Sequence, residues 1–238
     1  MANSSVAMTD VWSINANQAG LTTIKRPTFA LSYEKKYLGQ SIAEQTAILA
    51  MPVKHHVFGL VINRYGFDTY RKQQLGLSYA RTFGPALSAA LGFRYHSINI
   101  TNYGHAETYA IDAGLQYQLN KTVLIGAHIN NLSKSAFSEQ EVYADIPFAI
   151  QFGASYRSSD RVLLALALEQ NLAANTDAKL GLEYLLISVL ALRGGLSLNP
   201  LKEYVGLGVC RKGFNLDVSM AMHQVLGQTA NLSLSYAF

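Results

Sequence analysis

The sequence predicts an all-β protein: a 14-stranded antiparallel transmembrane β-barrel with a short N-terminal hatch-like segment. Three observations predict this fold. Apolar residues alternate with small or polar ones along most of the 238 residues, as in strands with one face in lipid and the other in a lumen. Half of the residues are hydrophobic, yet no apolar run reaches the roughly 18 residues of a membrane-spanning helix. Tight turns and longer loops separate the alternating segments.

The alternating segments are fourteen in number and occupy the predicted barrel domain, residues 27–238. Each is close to the roughly 9–11 residues of a tilted membrane-spanning strand. The stretch FNLDVSMAM, for example, places Phe214, Leu216 and Val218 on one face and Asn215 and Asp217 on the other. The segments lie near residues 28–37, 41–51, 56–66, 71–83, 86–101, 107–119, 122–132, 147–157, 161–170, 178–186, 189–198, 203–211, 214–224 and 229–238.

The connections predict a difference between the two ends of the barrel. Tight turns follow every second strand, at FGPA, LNKT, SSDR and LIS. Longer loops are predicted at GFDTYRK (66–72), NYGHAE (102–107), 133–146 and NLAANTD (171–177). Short turns on one side, longer loops on the other and an even strand number are typical of outer-membrane barrels.

A repeated tyrosine marks the end with the tight turns. The stretches LGLSYA, AGLQYQ, FGASYR, LGLEYL and LSLSYAF each place a tyrosine on the apolar face near that end. These residues predict an aromatic girdle, with rings in lipid and hydroxyls among the headgroups: Tyr79, Tyr117, Tyr156, Tyr184 and Tyr236. The alternative is a soluble sandwich with an aromatic core, which does not require one residue type at the same end of every second strand.

The other face of the strands is predicted to line the lumen. It is rich in glycine and carries four basic and four acidic residues: Arg94, Arg157, Lys179, Arg193, Asp112, Glu169, Glu183 and Asp217. Equal numbers favour mutual pairing over a selectivity ring of one sign. Two interpretations stay open, a polar conduit or an ion-paired filler that stiffens the wall, and the second is favoured. His96, His128 and His223 are expected to be hydrogen-bonded groups rather than metal ligands.

Composition argues against several other functions. Only 14% of the residues are charged, against roughly 25% in soluble domains. The net charge of +4 comes without a cluster of Lys and Arg, so no nucleic-acid partner is expected. The single cysteine, Cys210, allows neither an internal disulfide nor a cysteine metal cluster. Recognised catalytic motifs are absent, so we expect no enzyme activity, no cofactor and no metal.

Residues 1–26 do not alternate like strands and are predicted to form a hatch or plug-like segment. The stretch DVWSINANQAGLT resembles the D-x-x-x-x-x-x-N-P-A-G-L stretch near the mature N-terminus of FadL-type barrels and of the PorV and PorQ group. Gln18 stands where that family usually has proline, and the matching residues are Asp10, Asn17, Ala19, Gly20 and Leu21. The resemblance implies a FadL/PorV-like outer-membrane barrel with this segment tucked inside it. It also implies a leader before Met1.

The resembled proteins divide by function. FadL-type members import hydrophobic compounds through long extracellular loops, whereas PorV-type members dock onto the larger translocon of type IX secretion. The longest loop predicted here, 133–146, is short for such a ligand site. We therefore expect a non-catalytic accessory subunit of a larger outer-membrane complex, for protein secretion or outer-membrane protein assembly, surrounded by outer-membrane lipid and lipopolysaccharide. The alternative is a small FadL-like channel for hydrophobic or small solutes.

The stretch NLSLSYAF is predicted to be the closing strand. It must pair with the first strand, around TFALSYEKKY, because an open sheet edge is unstable in lipid. Tyr236 and Phe238 resemble the C-terminal signal by which outer-membrane barrels are recognised for insertion. We therefore expect a Gram-negative outer-membrane location with both termini periplasmic.

Overall fold

The computed structural model describes residues 1–2, 4–38, 41–139, 142–172 and 175–238. Fourteen antiparallel strands of this described part close into one barrel, which confirms the predicted fold. Seven strands come first: β1 (Thr28–Lys35), β2 (Ala43–Val53), β3 (His56–Phe67), β4 (Tyr70–Phe83), β5 (Leu87–Ile100), β6 (Gly104–Gln118) and β7 (Val123–Asn130). Two short strands, β8 (Ala136–Glu139) and β9 (Val142–Asp145), form a separate hairpin. The barrel continues with β10 (Ala149–Ser159), β11 (Val162–Asn171), β12 (Asp177–Ile187), β13 (Leu190–Leu198), β14 (Leu201–Arg211), β15 (Phe214–His223) and β16 (Gly227–Ala237).

The two end strands close the barrel. β1 pairs antiparallel with β16, with Thr28 opposite Ala237 and Lys35 opposite Ala230. The backbone N–H of Phe238 donates to the carbonyl of Pro27 at 3.0 Å and extends this pairing by one bond. The predicted pairing of the first and last strands is therefore confirmed. Closure pairs the backbone groups that an open edge would leave unpaired in lipid.

The strands present an apolar face outward and small side chains inward. In β4, Leu75, Leu77 and Tyr79 are exposed, whereas Gly76 and Ser78 between them are buried. The other strands repeat this alternation, as expected for a lipid-facing outer wall. Within the described residues, no helix is long and apolar enough to cross a membrane.

Two connections predicted as longer loops are tight turns instead. Phe67 pairs with Tyr70 across a two-residue turn, and Ile100 pairs with Gly104. At these two turns the strands are longer than the alternating apolar pattern indicated, because backbone pairing does not require an apolar outer face. Charged residues near the strand ends interrupt the pattern, so the sequence did not predict these extensions. The longer connections at this end are 36–42, 131–148 and 172–176. We call this end the long-loop end and the other, where β1 begins and β16 ends, the short-turn end.

The connection between β7 and β10 folds into the mouth of the barrel at the long-loop end. Asn131 organises its base, because its side-chain amide donates to the carbonyls of Ser135 at 3.0 Å and Ile146 at 2.8 Å. Phe137 on β8 is fully buried in a cluster with Ile146 and with inward residues of β5 and β6, namely Ile98, Ala106 and Ala110. The sequence predicted a plain loop here and missed the inward hairpin.

Candidate functional site

The N-terminal segment lies inside the barrel and forms much of its core. It contains two 3-10 helices, Val11–Asn15 and Gln18–Thr23. Val11, Ile14 and Leu21 are buried against small or branched inward side chains of β1 to β5, namely Ala30, Ile48, Ala50, Val57, Val61, Ala80 and Ala90. The first half of the barrel wall therefore packs on this segment as on a core, and the segment occupies that part of the lumen.

Glycines in the wall allow this segment to approach the strands closely. A Cβ on Gly59 would lie 2.7 Å from the side chain of Ile14, and one on Gly153 would lie 3.0 Å from that of Val6. Five further wall glycines face the segment in the same way: Gly92, Gly114, Gly126, Gly181 and Gly195. They follow the wall from β3 round to β13. The sequence showed that wall glycines lie on the lumen face, but it did not show that they make room for the N-terminal segment.

The residues that match the family motif hold the segment in shape. Asp10 caps the first 3-10 helix, where its carboxylate accepts from the backbone N–H of Ser13 at 3.0 Å. Asn17 caps the second by accepting from the backbone N–H of Ala19 at 3.2 Å. Gly20 lies against the backbone and side chain of the preceding turn, where a Cβ would overlap them. With the buried Leu21, these residues serve the local fold of the segment.

Asn17 also ties the segment to the wall. It is fully buried, and its amide nitrogen lies 3.0 Å from the carbonyl oxygen of Leu115 and 3.3 Å from that of Ala127. The same nitrogen donates to the Val6 carbonyl at 2.8 Å. Gln116 on β6 donates to that carbonyl at 3.0 Å. Two wall strands and both halves of the segment are thus joined through side-chain amides.

A buried polar cluster centred on Asp112 is the strongest link between segment and wall. Arg94 donates to Asp112 Oδ2, and Gln18 Nε2 donates to the same oxygen at 3.2 Å. Asp112 Oδ1 accepts from the backbone N–H of Asn131 at 2.9 Å. Gln18 Oε1 in turn lies 3.1 Å from His128 Nε2. Gln18, which departs from the family motif, therefore joins the segment to this cluster through its side chain, and Ile14 joins it through its backbone carbonyl, which accepts from Arg94 at 3.2 Å. The departure at Gln18 was the signal that the sequence offered for this link.

Five of the other six predicted lumen charges lie on the part of the wall formed by β11 to β15. Arg193 pairs with Glu183, with 2.6 Å between Nε and Oε2, and also with Asp217. Lys179 pairs with Glu169 at 2.5 Å. These side chains keep between 15% and 29% of their exposure, whereas Asp112 keeps none. The structure therefore brings seven of the eight predicted lumen charges into ion pairs, counting Arg94 with Asp112.

Two lumen groups lack the polar partners that were expected for them. Arg157 is exposed and forms no ion pair with any described residue, because it lies close to the end of β10, where the wall meets a cavity. His96 is buried, yet neither of its ring nitrogens has a hydrogen-bond partner in the described part of the chain. The ring of Phe137 packs edge-on against it, with 6.4 Å between centroids, so the β8–β9 hairpin covers His96 with an apolar group.

Cavities lie on both sides of the N-terminal segment. The larger, about 640 Å³, opens at the short-turn end between the segment and strands β10 to β16. Its lining mixes apolar and charged side chains, among them Met8, Trp12, Leu163, Ala191, Arg157 and Arg193. This volume lies within the range of small-molecule sites, roughly 300–1,000 Å³. A cavity of about 290 Å³ at the long-loop end is lined by Glu44, Asn63, Tyr65, Tyr70 and Lys72. No group of metal-ligating side chains occurs among the described residues.

The predicted girdle tyrosines all lie near the short-turn end. Four of them are exposed on the outer wall: Tyr79, Tyr117, Tyr156 and Tyr184. Tyr236 is half-buried and packs on Phe214, with 4.2 Å between ring centroids, and on Phe238 at 4.9 Å. Their role at a membrane boundary stays a prediction.

Solved structures of FadL-like outer-membrane channels resemble this closed 14-stranded barrel over nearly the whole length of the chain. The toluene transporter TodX of Pseudomonas putida has a TM-score of 0.74 at 12% identity, and the likeness covers 96% of this chain and 94% of that one. The toluene transporter TbuX of Ralstonia pickettii has a TM-score of 0.73 at 11% identity, covering 100% and 98%. A FadL homologue of Pseudomonas aeruginosa has a TM-score of 0.70 at 12% identity, covering 100% and 96%.

At such identities the likeness concerns the fold. The neighbours support the FadL-like part of the resemblance, and none of them supports the PorV and PorQ part. No protein-family model matches the sequence, and a comparison with curated proteins found no match.

Proposed function

We propose that this protein is a small outer-membrane channel for hydrophobic or small solutes, non-catalytic and FadL-like, with its short-turn end and both termini in the periplasm. The full-length likeness to two toluene transporters and to a FadL homologue supports this function. It favours the channel over the accessory subunit that the sequence led us to expect.

The cavity at the short-turn end is the observation that carries the proposal. Its volume of about 640 Å³ and its partly apolar lining suit a small hydrophobic solute. The N-terminal segment lies between this cavity and the long-loop end, and Gly114 and Gly153 of the wall lie directly against it. Passage therefore requires this segment to shift, with the cavity as the compartment on the periplasmic side.

A larger side chain on the wall of this cavity tests the proposal. Ala191 lines the cavity on β13, and the next residue, Leu192, faces outward. Gram-negative cells that make the wild-type barrel should take up radiolabelled toluene several-fold faster than cells without it. Ala191→Trp should return uptake toward the rate of cells without the barrel, because the indole fills the cavity. Leu192→Trp is the matched control and should leave uptake unchanged.

Folding of each variant is checked by its heat-dependent shift in electrophoretic mobility. Uptake no faster than in cells without the barrel, or equal loss in both tryptophan variants, would argue against the channel.

A second candidate function is the accessory subunit of a larger outer-membrane complex. It is supported by the occupied lumen, since the N-terminal segment fills its centre and Phe137 packs into its mouth. A protein with such a lumen can act through its outer wall. The barrel would then co-purify with a larger membrane protein from native membranes in mild detergent, in a fixed ratio. Isolation as a partner-free monomer would contradict this function.

A further inference from the structure

Exposed basic residues surround the outside of the barrel at the short-turn end. They lie in four of the six hairpin turns at that end and on the outer faces of β4 and β14: Lys54, Arg81, Lys121, Arg161, Arg211 and Lys212. We call these six residues the basic rim. None of them forms an ion pair with a described residue. The same turns contain one acidic residue, Asp160.

The long-loop end differs from this rim. Its exposed residues are of mixed sign, with Lys35, Arg64, Arg71 and Lys134 near Asp68, Glu107, Asp145 and Glu203. Among the described residues, the exposed charges of the long-loop end therefore balance, whereas those of the short-turn end leave an excess of positive charge. An uncompensated set of like charges raises the free energy of the isolated protein, and an anionic partner would offset this cost.

The basic rim lies just beyond the outward-facing aromatic residues of the same end. Arg81 follows Tyr79 by two residues, and its guanidinium lies over the ring of Phe83 at 5.2 Å. Lys121 follows Tyr117 by four residues, in the next turn round the barrel. Interfacial tyrosines place their hydroxyls at the headgroup level of a bilayer. Cationic groups one step further from the apolar belt then lie level with lipid phosphates.

We propose that the basic rim binds anionic phospholipid headgroups and selects them in the leaflet at the short-turn end. The charges are spread round the circumference, which fits a partner that surrounds the barrel. A protein partner would contact one side and would be matched by a clustered patch. The inference rests on membrane insertion, which is part of the proposed function, but not on the solute or on any movement of the N-terminal segment.

Spin-labelled lipids measure this selectivity directly. The wild-type barrel is reconstituted in phosphatidylcholine with a trace of spin-labelled phosphatidylglycerol or spin-labelled phosphatidylcholine. The motionally restricted fraction of each gives their relative association constants. We expect phosphatidylglycerol to be preferred at low salt, with the preference reduced at high salt. Each basic residue that contacts a lipid should contribute about a fivefold preference.

Two variants that each lose four positive charges distinguish an effect of the basic rim from an effect of the overall charge of the protein. The rim variant carries Lys54→Gln, Arg81→Gln, Lys121→Gln and Arg161→Gln. The control variant carries Lys35→Gln, Arg64→Gln, Arg71→Gln and Lys134→Gln, all at the long-loop end. The preference should fall in the rim variant to what Arg211 and Lys212 alone contribute, and it should persist undiminished in the control. Equal association of the two lipids with the wild type, or equal loss in both variants, would overturn the proposal.

Two additions to the same assay distinguish other anionic partners. Sodium phosphate should lower the preference no more than sodium chloride of the same ionic strength. A stronger effect of phosphate would point to a small-anion site and overturn lipid selection. Polyglutamate should not displace the labelled phosphatidylglycerol at that ionic strength. Tight, rim-dependent binding of polyglutamate without any lipid preference would indicate an acidic protein partner instead.

Discussion

At the scale of residues, the decisive feature is a buried carboxylate with partners from three parts of the chain. Asp112 accepts from Arg94 on β5, from Gln18 in the N-terminal segment and from the backbone of Asn131 after β7. A buried charge is tolerated only when it is paired and hydrogen-bonded. The cluster therefore fixes the position of the segment relative to the wall.

Removal of one partner from this cluster should be costly. Arg94→Met leaves the Asp112 carboxylate buried without its cation, and we expect the free energy of unfolding to fall by about 3 kcal/mol or more. The measurement is urea-induced unfolding of the barrel reconstituted in lipid vesicles. Arg193→Met is the matched control, since its pairs are partly exposed and should contribute about 1 kcal/mol or less. If both variants lower the free energy of unfolding by the same amount, the buried Arg94–Asp112 pair contributes no more to stability than the partly exposed pairs of Arg193.

At the scale of elements, the N-terminal segment and the wall are complementary in shape. The segment supplies larger side chains such as Ile14 and Leu21, and the wall supplies glycine and alanine opposite them. Close packing leaves little space for even one added methyl group. A single wall position therefore tests whether the segment occupies the lumen in the membrane.

Gly126→Ala should displace the segment and leave the barrel folded. The added Cβ would overlap the carbonyl oxygen of Val6, so the first turn of the segment has to move away from β7. We expect a higher conductance of the barrel in planar bilayers than for the wild type. Gly194→Ala is the control, because the nearest atom to its Cβ is a carbonyl oxygen at 3.9 Å. Equal conductance of both variants would contradict the observed packing.

At the scale of the whole molecule, closure and insertion involve the same terminal strand. β16 pairs with β1 and β15 on its two sides and so completes the sheet. Phe238 lies just beyond this pairing and is 64% exposed, so it contributes little packing to the closed barrel. Its role as a C-terminal assembly signal stays a prediction, and this exposure makes it separable from stability.

Phe238→Ala should reduce insertion in cells without weakening the folded barrel. We expect several-fold less folded barrel in the outer membrane but an unchanged unfolding midpoint for protein refolded in detergent. Phe214→Ala removes a similarly exposed aromatic that also contacts Tyr236. This control should leave insertion unchanged. If both variants insert alike, or if Phe238→Ala loses stability in detergent, the terminal aromatic does not act as a signal.

The sequence by itself determined the strand number, the lipid-facing side of each strand and the pairing of the first with the last. These features follow from period-two alternation and from turn residues, which are local properties of the chain. Strand ends beyond the apolar belt were harder to predict, as at Phe67 and Tyr70, because backbone pairing continues there without an apolar pattern.

Only the tertiary structure decided which lumen residues meet. Gln18 reaches Asp112 across 94 positions of sequence and His128 across 110, and neither contact leaves a periodic trace. The packing of Phe137 into the barrel mouth and of Val6 against Gly153 likewise joins residues that are far apart in the sequence and leaves no periodic trace. Closure of the barrel at one register sets which side chains share a level in the lumen, and that register depends on all fourteen strands together.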